Sequence, residues 1–295
     1  MSNGFTIEEP RTLEEALELL GQGDETVRVV AGGTGLTPLM RYGFFQPTTL
    51  VSLRHLAPEL GGVEATADGG LRLGAMNTLR DLEDSPEVAA RAPLLRQALY
   101  RLATIRLRNI AQLGGAIAHG HPQMDLPPIL LALDARVRVR GRRGSRWINA
   151  DDLFLGYYET AVSDDELITE VVLPPPGEQR AVYRKVTPRT ADDWPILGVA
   201  AVARRDGGRV SEARVAVGAL TDRPQRLPVA EAALVETDPT PEQLRSIAEE
   251  TADSLDYHHG PAGSVAFQRQ IVAVHLRRAF DAVVLGRGGQ GQGER

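Results

Sequence analysis

Two glycine pairs in apolar frames constrain this chain more than any other feature: Val29-Val30-Ala31-Gly32-Gly33-Thr34-Gly35-Leu36 and Gln112-Leu113-Gly114-Gly115-Ala116-Ile117-Ala118-His119. Glycine has no Cβ and adopts positive φ, so successive N–H groups turn toward one anion and form a shallow positive nest. One Gly-Gly after a strand is usually a tight turn. Two such pairs with similar flanks point instead to a ligand with two phosphates, such as a dinucleotide. Neither is a Rossmann fingerprint, because Pro38 stands where the third glycine belongs, and no Gly-Lys-Ser/Thr phosphate loop occurs. A nucleotide on this chain therefore implies another fold.

Composition narrows the partners. The 295 residues suffice for two domains, 42% are hydrophobic, and the net charge of −6 gives no reason to expect nucleic acid or an anionic membrane. There is no cysteine, which excludes disulfides, a thiolate nucleophile and a cysteine-ligated iron–sulfur cluster within the chain. Any such cluster must come from a partner. No apolar run approaches a membrane span and no secretory pattern opens the sequence, so membrane insertion is not expected and the cytoplasm is the expected address.

Thr12-Leu13-Glu14-Glu15 reads as a capping box, followed by Leu13, Ala16, Leu17 and Leu20 on one helical face, with Gly21 as the stop. Val27–Ala31 reads as a buried strand running into the first glycine segment, and Thr48–Leu53 as a second, giving a small α/β unit to about residue 56. Leu71–Gly74 alternates as a strand, Thr78 caps a helix through Leu82, and a longer helix is predicted from Pro86, carrying Ala89, Leu94, Leu95, Ala98, Leu99 and Leu102. Pro127–Leu133 reads as helix and Arg136–Arg140 as a strand with one wet face. Pro174-Pro175-Pro176-Gly177 is the clearest boundary. Beyond it, strands are predicted at 181–186, 196–204 and 209–219, and helices at 241–254 and 265–285. The glycine-rich segment 286–295 reads as a disordered tail, and no internal repeat is found.

Few residues outside the glycine segments suggest chemistry. His119-Gly120-His121 with Asp125 allows two readings: metal ligands on an extended segment, or side chains facing the ligand of the adjoining nest, with Asp125 accepting from a sugar hydroxyl. Arg136, Arg138, Arg140, Arg142, Arg143 and Arg146 read as a solvated strand face, with docking of an acidic partner as the alternative. His258-His259-Gly260-Pro261 reads as a loop between helices. Lys185 ends a strand and is followed by Arg189 and Asp192-Asp193-Trp194-Pro195.

Taken together, Ala31-Gly32-Gly33-Thr34, Arg108-Asn109, Leu113-Gly114-Gly115, Asp125-Leu126-Pro127, Asp165-Glu166-Leu167-Ile168 and Arg277-Arg278-Ala279 resemble the FAD-binding medium subunit of the carbon monoxide dehydrogenase and xanthine dehydrogenase type, among the molybdenum hydroxylases. The resemblance runs from about Phe5 to Leu285. It implies an α+β chain: a two-subdomain FAD-binding fold of the vanillyl-alcohol oxidase type over 1–175 (subdomains about 1–56 and 57–175), then a C-terminal antiparallel sheet and helix domain over 176–285. It implies that Val29, Val30, Ala31, Gly32, Gly33, Thr34, Gly35 and Leu36 with Gly114 and Gly115 wrap the pyrophosphate. Ala118, His119, Met124 and Asp125 would contact the ribose and ribityl side, and Leu102, Ala103, Ile168 and Lys185 would border the isoalloxazine. An ammonium there stabilises negative charge at the N1/C2 edge of a reduced ring. Trp194 would cover apolar ring surface or pack in a core.

The implied function is an oxidoreductase subunit in a heteromeric complex. FAD takes electrons from an iron–sulfur small subunit, a molybdopterin-containing large subunit oxidises the substrate, and an external acceptor receives the electrons. The missing cysteines agree with that division of labour. Gly35, Gln112 and Ala116 depart from the family, which usually places Ser or an acidic residue, Thr, and Asn or Asp there. Alternatives are a stand-alone flavin oxidase, a flavin-free scaffold subunit and, more distantly, a metal hydrolase. Gly33→Val and Gly115→Val are expected to fold and to lose FAD.

Overall fold

The computed structural model describes residues 4–22, 26–257 and 263–287. The chain divides into two compact units: one takes Met1–Ala92, Ala103–Gly120 and Ala135–Pro174, the other Pro93–Leu102, His121–Asp134 and Pro175–Arg295. Both contain helices and sheet.

In the first unit, β1 (Thr6–Glu8), β2 (Val27–Val30) and β3 (Thr49–Ser52) form a parallel sheet in the order β1-β3-β2. The helix Leu13–Gln22 buries the four apolar residues read from its spacing, against Val51, Leu53, Leu56, Leu60, Met76 and Leu167. Its start is close to the expected box: the Thr12 hydroxyl accepts the Glu15 N–H at 3.2 Å, while the Glu15 carboxylate reaches back to the Arg11 N–H at 2.7 Å. β4 (Val63–Ala65), β5 (Leu71–Gly74), β6 (Arg136–Gly141), β7 (Gly144–Asn149) and, after the small hairpin of β8 (Phe154–Gly156) and β9 (Glu159–Thr160), β10 (Glu166–Leu173) complete the unit. Apart from β8 and β9, these strands form a 5-stranded antiparallel sheet in the order β4-β5-β10-β6-β7.

The arginine run lies on β6 and β7. Val137 and Val139 are buried, while arginines of the run meet acids: Arg138 with Glu170 at 3.2 Å, Arg140 with Glu14 at 2.8 Å, Arg146 with Glu166 at 2.7 Å. Arg136 and Arg138 also lie over the Trp147 ring, at 5.3 and 5.8 Å from its centroid. These arginines thus have partners within their own unit, as a solvated strand face does.

The long helix predicted from Pro86 is two helices, Pro86–Arg91 and Pro93–Arg101. Pro93 disfavours the helical region for the residue before it, and Ala92 sits at φ −136°. Val88, rather than Ala89, takes the buried place on the first piece.

In the second unit, β11 (Gln179–Val186), β12 (Leu197–Asp206), β13 (Arg209–Gly218) and β14 (Gln225–Arg226) form a 4-stranded antiparallel sheet in sequence order. Leu197–Ala203 of β12 are all buried, so both faces of that strand are covered. The helix Leu126–Ala132 packs on β12 and β13, and Val265–Val283 on β11 and β12. Every residue of Leu126–Ala132 is buried, as expected of a helix apolar all round. Pro228–Leu234 and Pro241–Asp253 complete the layer, with Leu234, Leu244, Ala248 and Ala252 in one core with Val272, Leu276 and Phe280.

Among the described residues no helix is long and apolar enough to cross a membrane. The expected loop at His258–Pro261 and all but Gly286 and Arg287 of the expected tail lie outside the described residues.

Candidate functional site: a glycine-walled cleft and a buried ion pair

The first unit contains an open cleft of about 790 Å³, within the usual size range of small-molecule sites. Its floor starts at β2. The strand ends at Val30, and each of its residues is half-buried rather than buried as expected, because Val27–Val30 line the cleft.

The chain then turns through Ala31–Gly35. Gly33 has φ +69°, a conformation that L side chains rarely adopt. Gly32 serves packing: a Cβ there would lie 2.0 Å from the Ile110 carbonyl oxygen. The Thr37 N–H donates to the Gly33 carbonyl at 3.0 Å. The N–H groups of Gly32, Gly33, Thr34 and Gly35 have no acceptor among the described residues.

The second segment enters the same cleft as the helix Leu113–Ala118. Leu113 and Gly114 donate to the Asn77 and Ala75 carbonyls, at 3.0 and 2.8 Å. A Cβ on Gly114 would lie 2.8 Å from the Ala75 Cβ. Gly115 differs: its N–H has no acceptor among the described residues, and a Cβ there would meet only the Ala31 Cβ, at 3.5 Å. Gln112 donates through Nε2 to the Met76 carbonyl at 3.3 Å, and its buried Oε1 has no partner among the described residues.

His119 joins the two segments. It ends its helix with the ring against Gly35, where a Cβ would lie 2.8 Å from His119 Nδ1. Its edge meets the Tyr158 ring at 5.0 Å and 76°. Burial pushes the imidazole below its ordinary pKa and the Tyr158 phenol above its own, the latter with help from Tyr157, so both favour their neutral forms. At another part of the wall Arg28 lies over the Phe45 ring at 5.1 Å and pairs with Asp164 at 3.3 Å.

Thus Val29–Leu36, Gly114, Gly115, Ala118, His119 and Ile168 line one cleft. Leu102, Ala103, Met124, Asp125 and Lys185 are not part of its wall. Ala103 belongs to the first unit, at φ +47°, with its carbonyl held by Arg108 at 2.6 Å. The Arg108 guanidinium is itself paired with buried Glu83 at 2.8 Å. Leu102, Met124, Asp125 and Lys185 belong to the second unit.

There Asp125 and Lys185 meet. Asp125 Oδ2 accepts from Lys185 Nζ at 3.1 Å and Oδ1 from the Tyr183 hydroxyl at 2.7 Å, and Lys185 also donates to the Arg101 carbonyl at 2.9 Å. The side chains of Lys185 and Asp125 are only 3% and 6% exposed. Burial raises the Asp125 pKa, while Lys185 and Tyr183 pull it back.

The extended His119–His121 arrangement is corrected. His119 is helical in backbone and Gly120 has φ +61°, so His121 leaves the first unit. Its Nδ1 accepts the Gln123 N–H at 3.1 Å and its ring meets Trp194 edge-on at 4.1 Å, while Trp194 is 51% exposed. Among the described residues no group of three or more His, Cys, Asp or Glu is arranged to hold a metal.

Cleft residues that sequence reasoning passed over include Arg28, Phe44, Phe45 and Tyr158. The signal available was a cation in an otherwise apolar strand, and aromatic pairs directly after Gly43 and Gly156.

Comparison with known proteins adds identity to this geometry. Residues 3–176 match the family described as the FAD binding domain in molybdopterin dehydrogenase, and residues 182–283 the CO dehydrogenase flavoprotein C-terminal domain. The nicotine 6-hydroxylase medium subunit of Paenarthrobacter nicotinovorans is 35% identical over 273 residues, which is 92% of this chain and 94% of that one. The carbon monoxide dehydrogenase medium chain of Hydrogenophaga pseudoflava is 36% identical over 72% of this chain and 74% of that protein. A solved structure of carbon monoxide dehydrogenase from Hydrogenophaga pseudoflava superimposes with a TM-score of 0.92 at 32% identity, covering 97% of this chain and 99% of that chain. The chain therefore belongs to the FAD-binding medium subunits of the carbon monoxide and xanthine dehydrogenase type, oxidoreductases of the molybdenum hydroxylase family.

Proposed function

We propose that this chain is the electron-transfer subunit of a molybdenum hydroxylase complex, taking electrons from an iron–sulfur partner and passing them to an external acceptor. The observation that carries the reading is the pairing of both glycine segments, with their unspent N–H groups, around one cleft. The residues present suit FAD. Donors from two nests match a pyrophosphate, and the buried, unpartnered Gln112 Oε1, an acceptor, calls for a hydroxyl of the cofactor rather than a phosphate oxygen.

Bound there, the flavin supplies reversible electron storage between a donor and an acceptor. In this reading Gly32–Gly35 and Gly115 hold phosphate, and Ala118 and His119 border the sugar. Ile168 borders the ring, while the cofactor roles expected of Leu102, Ala103, Met124, Asp125 and Lys185 rest on the family resemblance alone. The domain division at residues 175 and 176 belongs to the same reading, as does a cytoplasmic address. The absence of cysteine supports a cluster held by a small subunit, with substrate oxidation at a molybdopterin-containing large subunit. The departure at Gly35 has a structural counterpart in the close approach of His119, so it does not by itself favour a flavin-free scaffold.

The test is the flavin content of the purified chain and of Gly115→Val, by absorption and release of FAD on heating. A yellow wild type and a folded, colourless variant are expected. Full occupancy of the variant would sink the phosphate assignment. Reduction of the wild-type flavin by a small organic donor with no added protein would favour a stand-alone oxidase.

A further inference from the structure

Half-buried arginines of the second unit differ in how their charge is met. Arg205, Arg214 and Arg226 have carboxylate partners, Asp238 at 2.5 Å and Asp134 at 3.1 and 2.7 Å. Arg184 on β11 pairs with no acid among the described residues, and neither does Arg101, at the end of Pro93–Arg101, or Arg278, in Val265–Val283. The fold gathers these three. Tyr183 and Lys185 turn toward Asp125, so the alternation of β11 sends Val182 and Arg184 to the other face, where Val182 shares a core with Leu276 and Phe280. There Arg184 Nη2 donates to the Arg278 carbonyl at 3.1 Å. The Lys185 bond to the Arg101 carbonyl holds the end of the shorter helix beside the same stretch of strand. His275 stands three residues before Arg278, on the same helical face. Two polar atoms of this cluster, Arg184 Nε and His275 Nδ1, are buried without a partner among the described residues.

We propose that Arg184, Arg278 and Arg101 form a binding site for a phosphate group. Guanidinium forks match phosphate oxygens, and a dianion offsets three cations more fully than the single charge of a carboxylate does. Burial and then Arg278 push the Arg184 guanidinium below its ordinary pKa, Asp281 opposes them, and Arg101 adds to the repulsion. Cations gathered in this way, with a buried donor unmet, are stabilised when an anion joins them. His275, which burial, Arg278 and Arg184 lower to about 4, stays neutral at ordinary pH and adds a polar atom without adding charge. Arg278 is exposed, so the site opens to solvent. All of these residues belong to the second unit. The segment Arg277-Arg278-Ala279, to which the flavin reading gives no task, thereby has one.

The experiment follows thermal unfolding of the full chain in low-salt buffer as inorganic phosphate is added, with chloride at equal ionic strength as the reference. A ligand of the folded state raises the midpoint, and a rise of roughly 2–4 °C over chloride is expected at a tenfold excess over Kd. Arg278→Gln keeps the backbone carbonyl to which Arg184 donates and is expected to lose most of that rise. Phosphate held by the glycine nests, or excluded from the surface, raises both proteins equally and cancels in the comparison. Adenosine 5′-monophosphate in place of phosphate distinguishes the sources. An Arg278-dependent rise at lower concentration than with inorganic phosphate marks a nucleotide as the ligand, and one at higher concentration marks free phosphate; both uphold the site. Equal rises in wild type and Arg278→Gln overturn the proposal, as does an Arg278-dependent rise of the same size with acetate. Should Arg278→Gln fail to fold, Arg101→Gln takes its place, and a wild-type rise in that variant overturns the proposal equally.

Discussion

The two glycine segments look alike in sequence and divide their work in the same way. In each pair the first glycine is demanded by packing and the second by access. Gly32 gives way to the Ile110 carbonyl and Gly114 to Ala75, whereas Gly33 and Gly115 have no backbone within 3.4 Å of an added Cβ. The segments differ in strain, because Gly33 needs positive φ and Gly115 is helical. Under the proposed function, a doublet of glycines encodes two separable requirements, close approach of the protein to itself and close approach of a ligand to the protein.

Substitutions separate these requirements. The largest effect is expected for Gly32→Ala, whose Cβ would overlap a backbone carbonyl. A loss of roughly 3 kcal/mol or more is expected, at the upper end of overpacking costs, read from the urea midpoint. Gly114→Ala meets a side-chain methyl and should cost about 1–3 kcal/mol. A Gly32→Ala protein as stable as wild type would break the assignment of the first glycine to packing.

Gly115→Ala is expected to act in the opposite sense on stability. It removes a helical glycine without a clash, a gain of about 0.5–1 kcal/mol in the apo protein. It should at the same time weaken FAD binding, measured by fluorescence titration. Gly33→Val, expected from sequence to fold and lose FAD, now carries a further expected cost of roughly 1–2 kcal/mol, because φ +69° suits only glycine well. Equal stability of the Gly33 and Gly115 variants would erase the distinction between the segments.

The contact between the segments is testable too. Gly35→Ser should displace the His119 ring, and combining it with His119→Ala should recover part of the loss. A coupling of about 0.5–3 kcal/mol is expected from the double-mutant cycle in unfolding free energy, as for residues in contact. Additivity within error would show that Gly35 and His119 do not depend on each other.

The smallest effect is one of pH. Burial holds His119 below its ordinary value of 6.5. As pH falls below that value the unfolded chain takes up the proton before the folded one does, so stability is full above it and drains as pH falls toward the folded value. His119→Gln should flatten that slope in urea midpoints measured across the window. An unchanged slope would place the titration elsewhere, with His275, which burial and the nearby Arg278 and Arg184 lower to about 4, as the first alternative.

Local signals were readable where one neighbour along the chain settles the matter. The helix Leu13–Gln22 followed from its 3.6-residue apolar spacing, and β6 from Arg-Val alternation. β10 shows no such alternation, because Leu167–Val171 are all buried. The break at Ala92 was signalled by Pro93, yet the apolar run on either side suggested one helix. His119 and His121 read as a pair only until the left-handed turn at Gly120 is known.

The sequence by itself determined the two nests, the absence of any cysteine, and the family to which those motifs belong, because these depend on residue type and spacing alone. Only the tertiary structure decided which glycine of each pair serves packing, since that depends on Ile110 and Ala75, which approach from other segments. It also decided that Asp125 is spent on Tyr183 and Lys185, separated from it by 58 and 60 residues. Contacts at such range are bought with chain entropy and rewarded only when both partners are buried together, and no local pattern records that outcome.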